Sequence, residues 1–176
     1  MVRSKFRHKS YTGDCNSGCP IFVIANKNNF TLNNFNAISS NIRATNYGLI
    51  IIYNCDNVTV SNCTTANHEN NGIFVAGNNK NVLIKNCTSY GNDNGIKLQD
   101  CRNATIDGCK LHDNGDGINV NDDCSNNTIS NCNIWNSTWS GIYIDWWDAE
   151  NNSFFNNTIT VTDERGIGSV SYTHLR

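Results

Sequence analysis

The chain has 176 residues and a formal net charge of −2, and only 16% of its residues are charged. This length allows one domain with an apolar core, the charge provides no basic surface for nucleic acid, and no apolar run reaches the roughly 18 residues of a membrane span. A single proline, 13 glycines and abundant asparagine predict short elements joined by many turns, because asparagine tolerates left-handed backbone.

Residues 1–19 are predicted to form an irregular N-terminal lead or partial cap. Its first ten residues are basic, but no apolar segment of the signal-peptide type follows them. The lead contains Cys15 and Cys19. One pair with this spacing is compatible with a disulfide or with a metal site, and the sequence leaves the choice open.

Residues 20–168 repeat with a period of 22–25 residues. Gly-Ile or a close variant recurs, and aligned columns of asparagine, threonine and cysteine follow it. Each repeat holds short strand-like pieces such as GIKL and NATI, separated by glycine and asparagine turn signals. The sequence therefore predicts an all-β solenoid of about six coils, with parallel strands stacked about 4.8 Å apart. The Gly-Ile positions are Gly48, Gly72, Gly95, Gly117, Gly141 and Gly166.

The G-I-x-[LVI] openings, the N-x-T-[IV]-x-N-C middles and the N-G-I closures resemble the right-handed parallel β-helix repeat of the pectin-lyase-like superfamily. Similar repeats occur in maturation factors of nitrous-oxide reductase. The resemblance implies a right-handed coil and an extracellular or cell-surface module that binds or processes polysaccharide. An enzyme of this kind would be a polysaccharide lyase or a glycoside hydrolase. The alternative is a non-catalytic, adhesin-like surface solenoid.

The C-terminal end departs from the repeat. Gly166 begins a coil that is not completed, and residues 169–176 end in VSYTHLR, which is similar to a translated sequencing adaptor. We expect this tail to be non-native and the chain to be a metagenomic fragment. Uncapped solenoid ends expose strand edges, which predicts self-association through them.

Four cysteines, Cys63, Cys87, Cys109 and Cys132, align at one position of successive repeats. A second column contains Cys55, Asn79, Cys101 and Cys124. Neighbours in a parallel stack point the same way, which suits a disulfide torsion poorly, and no Cys-x-x-Cys pair suggests zinc. We expect free thiols packed beside the core, together with an asparagine ladder in which buried amides pair from coil to coil.

Residues in the strand-like pieces should alternate between core and surface. In GIKLQD, Ile96 and Leu98 are predicted to point inward and Lys97 and Gln99 outward. Outward amides, carboxylates and aromatic rings suit sugars, which have apolar faces and hydroxyl rims. The residues predicted to bind substrate are Gln99, Asn119, Asn121, Tyr143, Trp146, Trp147 and Asp148.

The predicted catalytic residues are compatible with two types of reaction. Asp122 or Asp123, paired with Asp145 or Asp148, could act as acid and base in glycoside hydrolysis. Alternatively, Lys97 abstracts a proton while acidic groups hold Ca2+ against an acidic sugar. Ca2+ is therefore a possible cofactor, but the sequence does not identify a set of residues that would bind it.

A third interpretation is that these residues have no catalytic or binding role. The segment NVNDDC is similar to the Asp-Asp segment of polygalacturonases, but their Gly-His-Gly and Arg-Ile-Lys motifs are absent. The acidic and amide residues, including those of HDNGDGI, would then be solvated turn residues. His68 and His112 are likewise predicted to be solvated.

Overall fold

The computed structural model describes residues 21–39, 47–144 and 149–160, and the backbone alone of 167–169. Within these residues all regular structure is β, and no helix capable of crossing a membrane is found. The strands are β1 (Phe22–Ala25), β2 (Asn28–Asn33), β3 (Asn36–Ile38), β4 (Ile50–Tyr53), β5 (Asp56–Ser61), β6 (Thr64–Ala76), β7 (Asn79–Lys80), β8 (Leu83–Lys85), β9 (Thr88–Gln99), β10 (Cys101–Arg102), β11 (Thr105–Asp107), β12 (Lys110–His112), β13 (Asp116–Asn121), β14 (Thr128–Ser130), β15 (Asn133–Trp135), β16 (Ser140–Ile144), β17 (Ser153–Phe155), β18 (Thr158–Thr160) and β19 (Ile167–Ser169).

The strands stack in parallel on three sides of a solenoid. The first side contains β1, β4, the later parts of β6 and β9, β13, β16 and β19. The second side contains β2, β5, β8, β11, β14 and β17. The third side contains β3, the earlier parts of β6 and β9, β12, β15 and β18. Because β6 and β9 continue from the third side to the first, these two sides form one 11-stranded sheet.

The predicted class, an all-β parallel solenoid, is confirmed. One strand of the second side belongs to each turn, and β2 to β17 give five complete turns from the first strand to the last. This count is close to the six coils predicted. The difference arises at the ends, where the expected coils include residues outside the described ranges.

Asparagine supplies the corners. One residue per turn, at the corner that leads into the second side, has φ between 54° and 57°: Asn29, Asn57, Asn81, Asn103, Asn126 and Asn151. The corner after the second side repeats this conformation at Asn34, Asn62, Asn86, Gly108, Asn131 and Asn156. Left-handed backbone is costly for most residues and least so for glycine, asparagine and aspartate. The sharp corners of each turn therefore explain the asparagine content.

The interior is a stack of aliphatic side chains. On the first side, Ile73, Ile96, Ile118 and Ile142 lie in register and are at most 1% exposed. Each such side chain contributes about 1.5–3 kcal/mol by its burial. The outward positions can therefore vary in chemistry while the core holds the coil geometry constant.

The cysteines extend this core. The seven cysteines in the described ranges are free and buried. The thiols of Cys63, Cys87, Cys109 and Cys132 each donate to the carbonyl two residues earlier and to a carbonyl of the preceding turn. Burial raises the pKa of the Cys101 thiol, and burial raises that of Cys124 to about 11. Cys101 and Cys124 therefore stay protonated, and the buried cysteines serve as free packing groups, as predicted.

The asparagine ladder differs from the prediction. Buried amides bond chiefly to backbone groups of the neighbouring turn: Asn127 Oδ1 accepts from the amide of Ala104 at 2.7 Å, and its Nδ2 donates to the carbonyl of Cys101 at 3.0 Å. Amide-to-amide bonds are a minority, such as Asn92 Nδ2 to Asn114 Oδ1 at 3.2 Å. Corners leave backbone groups without sheet partners, and the amides satisfy them.

Candidate ligand-binding site

One column predicted to point outward lies in register on the first side, but Phe74 and Asn119 within it are only 6% and 9% exposed. Phe74, Lys97, Asn119 and Tyr143 lie in register on β6, β9, β13 and β16. Ile96 and Leu98 flank Lys97 and are buried, whereas Lys97 is partly exposed. Three residues of the predicted site thus come from different turns and share one surface.

The next outward column leads to a corner of the solenoid. Gln99 and Asn121 are in register, and Gln99 Nε2 donates to Asp122 Oδ2 at 3.0 Å. Asp122 and Asp123 follow with φ of 41° and 31°. The carboxylate of Asp122 is therefore held by an amide, while Asp123 is exposed.

The predicted residues Asp145, Trp146, Trp147 and Asp148 lie outside the described residues. The carboxylate pairs that would join Asp122 or Asp123 to them therefore stay predictions. So does the role of Cys15 and Cys19, in a segment that is likewise outside the described ranges.

Sequence reasoning missed Asp116. The sequence predicts a solvated turn residue at this position, but Asp116 is only 6% exposed. Its Oδ2 accepts a hydrogen bond from Asn119 Nδ2 at 3.0 Å, and Ser140 also bonds to the carboxylate. Burial raises the pKa of Asp116, while these hydrogen bonds and the nearby ammonium of Lys97 oppose the shift. The one available signal was the alignment of Asn71, Asn94, Asp116 and Ser140 at the position before each Gly-Ile.

Asn94, Lys97, Asp116, Asn119 and Ser140 are called the Asp116 patch below. Asn94 and Ser140 lie in register with Asp116 on the two neighbouring turns. Acceptor atoms of this surface are buried without a donor from the described part of the chain: Asn94 Oδ1, Asp116 Oδ1, Asn119 Oδ1 and, one column away, Asn121 Oδ1. A buried acceptor without a donor costs about 1–3 kcal/mol. Several in one place mark polar groups that the described part of the chain leaves unsatisfied.

An exposed tryptophan borders the Asp116 patch. Trp139 immediately precedes Ser140, is 56% exposed, and its backbone amide donates to the carbonyl of Gly115 at 2.8 Å. Its indole lies directly on Gly115, where a Cβ would be 2.7 Å from two ring carbons. Glycine therefore allows the ring to lie against the backbone beside Asp116. An aromatic surface next to unpaired acceptors is suited to a ligand with apolar faces and hydroxyl donors.

The histidines were both predicted to be solvated, and the structure differs for each. His68 is 3% exposed and its Nδ1 accepts from the amide of Asn70 at 3.1 Å, because the bend in β6 turns it inward. His112 lies on the third side between Tyr90 and Trp135, with ring centroids 4.9 and 4.5 Å away. Its Nδ1 is 2.6 Å from Asp113 Oδ2.

The described residues fit a Ca2+ site poorly. No group of three or more histidine, cysteine, aspartate or glutamate side chains within these ranges is arranged to hold a metal ion. In the Asp116 patch the ammonium of Lys97 interacts with the one carboxylate, and it would repel a divalent cation. No role is therefore assigned to Ca2+ in this patch.

Comparisons with known proteins agree with the fold. The sequence matches the family described as a right handed beta helix region over residues 21–175. The chain therefore belongs to the right-handed β-helix family. Among solved structures, it is similar to the mannuronan C-5 epimerase AlgE4 A-module of Azotobacter vinelandii, with a TM-score of 0.55 and 12% sequence identity, over 84% of this chain and 55% of that one. This chain thus spans about half of that module, and the likeness concerns the fold. A search of curated proteins gave no match.

Proposed function

We propose that the protein is a polysaccharide-binding β-helix module whose site is the Asp116 patch together with Trp139. The observation that carries the proposal is that the described residues supply no donor to the buried acceptors of Asn94, Asp116 and Asn119, which a ligand would reach once the side chains over them shift. Sugar hydroxyls are donors of the required kind. The indole of Trp139 offers an apolar surface on which a sugar ring can stack.

The arrangement also suits a chain more than a single small molecule. Equivalent outward positions recur on successive turns about 4.8 Å apart, so a polymer lying along the solenoid axis meets a similar position at each turn. The column that contains Lys97, Asn119 and Tyr143 spans three turns in register. A cell-surface or extracellular location is part of this proposal, because long polysaccharides occur there.

Binding would be tested by titrating a panel of neutral and acidic oligosaccharides against the wild type, Asn119→Ala and the matched control Asn133→Ala. Asn133 is exposed on the third side. We expect Asn119→Ala to weaken binding about tenfold, because it removes the unpaired acceptor and the bond to Asp116, and Asn133→Ala to bind as the wild type does. Equal affinities for all three proteins would reject the Asp116 patch as the site, and no binding by any would favour the alternative of a structural surface solenoid.

Processing of the bound chain is the second proposal, and Asp116 is its favoured residue. A buried carboxylate with a raised pKa beside an ammonium is a common arrangement for proton transfer. The release of unsaturated or reducing sugar ends from polymers would be compared for the wild type and Asp116→Asn. Release that is lost in Asp116→Asn while binding persists supports processing. Absence of release from the wild type leaves a binding module.

A further inference from the structure

Asparagine side chains bridge successive turns at the corner between the third and first sides. Asn92 Oδ1 accepts a hydrogen bond from the backbone amide of His68 at 3.1 Å, and Asn114 Oδ1 accepts one from the amide of Asn92 at 3.0 Å. Asn114 Nδ2 also donates to the carbonyl of Ser89 at 3.0 Å. Each asparagine therefore ties its own turn to the preceding turn through backbone groups that need partners.

The series of asparagine bridges ends at Ser137. The amide of Gly115 donates to the carbonyl of Asn92, and that of Thr138 donates to the carbonyl of Asn114, so Ser137 occupies the equivalent position on the next turn. Ser137 is fully buried, and its Oγ has no hydrogen-bond partner among the described residues. The bridge that an asparagine would form at this position is therefore missing.

The same corner contains one residue more than the corner of the preceding turn. Register partners are 23 residues apart on β12 and β15 but 24 residues apart on β13 and β16. The amides of Trp139 and Ser140 both donate to the carbonyl of Gly115, at 2.8 and 3.4 Å. An extra residue of this kind is a β-bulge, which interrupts the regular pairing of the strands. Residues 136–140, called the Ser137 corner below, thus combine a bulge with a missing bridge.

The Ser137 corner lies against the buried carboxylate of the Asp116 patch. Trp139 covers Gly115, while Ser140 is in register with Asp116 and hydrogen-bonds to its carboxylate. Asp116 Oδ1 is buried and receives no donor from the described residues. A ligand can reach this oxygen only when a covering group moves. The corner beside it has lost a side-chain anchor, which lowers the cost of local opening.

We propose that the Ser137 corner is a gate to the Asp116 patch, and that it opens as a unit by breaking its bonds to Asn114 and Gly115. This inference rests on the proposed function, because it concerns access to the same site. The closed corner is the major state, and the ligand binds to the minor open state. The apparent affinity is then reduced by the fraction of molecules that are open. A change that stabilises the closed corner should weaken binding by the same factor.

Hydrogen exchange followed by NMR tests the opening of the corner without any ligand. The amides of Gly115 and Thr138 make equivalent bonds on successive turns, but the asparagine bridge is present beside Gly115 alone. We expect the protection factor of Thr138 to be about tenfold lower than that of Gly115. Equal protection of the two amides would reject the gate.

Ser137→Asn would supply the missing bridge, and the next turn has space for it. Asn114 Nδ2 lies 2.9 Å from the position of a Cβ on Gly95, and Gly117 is the equivalent glycine beside Ser137. We expect Ser137→Asn to raise the protection factor of Thr138 about fivefold. Oligosaccharide binding, measured by isothermal titration, should weaken by the same factor. The matched control Ser137→Ala should change neither quantity.

The two measurements separate failure of the gate from failure of the proposed function. Slower exchange in Ser137→Asn together with unchanged or tighter binding would overturn the gate. Absence of oligosaccharide binding by the wild type would reject the proposed function, while the exchange rates would still decide whether the corner opens. The reciprocal variant Asn114→Ser removes a bridge and should lower the protection factor of Gly115 about fivefold. Unchanged protection in that variant would show that the bridges do not control opening.

Discussion

The outer surfaces of the first and third sides are built on the same core, yet their polar and aromatic groups are used differently. On the third side, Tyr90, His112 and Trp135 stack ring upon ring. On the first side, Trp139 is more than half exposed, and the acceptors beside it receive no donor from the described residues. An outward column whose groups satisfy one another stabilises the solenoid. A column that leaves them unsatisfied is available to a ligand.

If the two sides differ only in their outer surfaces, both rest on an equally rigid core, and the buried thiols are the strongest test of that rigidity. Cys101 and Cys124 follow the first side, and Cys109 and Cys132 precede the third; all four are fully buried. Because alkylation needs an exposed thiolate, we expect each to react about a thousandfold more slowly than in the unfolded chain. Mass spectrometry of the alkylated peptides under non-reducing conditions would measure the rates. Rapid modification of one pair, or stoichiometric disulfides, would contradict a shared and packed core.

The two tryptophans provide a matched pair for the surfaces themselves. Trp139→Ala should weaken oligosaccharide binding about tenfold and leave the free energy of unfolding nearly unchanged, because its ring is largely exposed. Trp135→Ala should leave binding unchanged and lower the free energy of unfolding by about 1 kcal/mol, through loss of the stack on His112. Isothermal titration and thermal unfolding measure the two effects. A reversed outcome would exchange the roles of the two sides.

The smallest predicted effect is a pH dependence of the free energy of unfolding. It arises at His68, in the bend where β6 continues from the third side to the first. Burial lowers the pKa of His68 from its ordinary value of 6.5, so His68 is neutral in the folded protein. Below about pH 6.5 the unfolded chain therefore binds more protons than the folded protein does. The stability that a neutral His68 contributes is fully present above pH 6.5 and is lost as the pH falls below it. Urea unfolding from pH 7.5 to pH 5 should show this slope, and His68→Gln should flatten it. His112→Gln is the control, and a slope that survives His68→Gln would reject the assignment.

Much of the fold could be predicted from the sequence because stacking repeats the same physical demand at each turn. Corners need left-handed backbone and recruit asparagine, and inward positions need aliphatic side chains. Columns such as Ile73, Ile96 and Ile118 can therefore be identified by alignment of the repeats alone. The outward column with Lys97, Asn119 and Tyr143 follows from the same register.

The candidate site was harder to predict because its decisive property is that its acceptors find no hydrogen-bond donor among the described residues. Asp116 belongs to a sequence typical of a solvated turn, and only the folded structure shows that Asn119 and Ser140 enclose its carboxylate. Trp139 could be recognised as aromatic, but its placement on Gly115 depends on the path of two adjacent turns. His68 was misjudged for a similar reason, since the bend in β6 that buries it is irregular in register.

The central claim is that ligands bind to the first side and that the third side is structural. NMR titration of the wild type with an oligosaccharide it binds would test this directly, through the amide signals of both sides and the two indole signals. We predict shifts at Asn94, Asp116, Asn119 and the indole of Trp139, with Tyr90, His112 and Trp135 unchanged. Shifts concentrated on Tyr90, His112 and Trp135 would contradict the account.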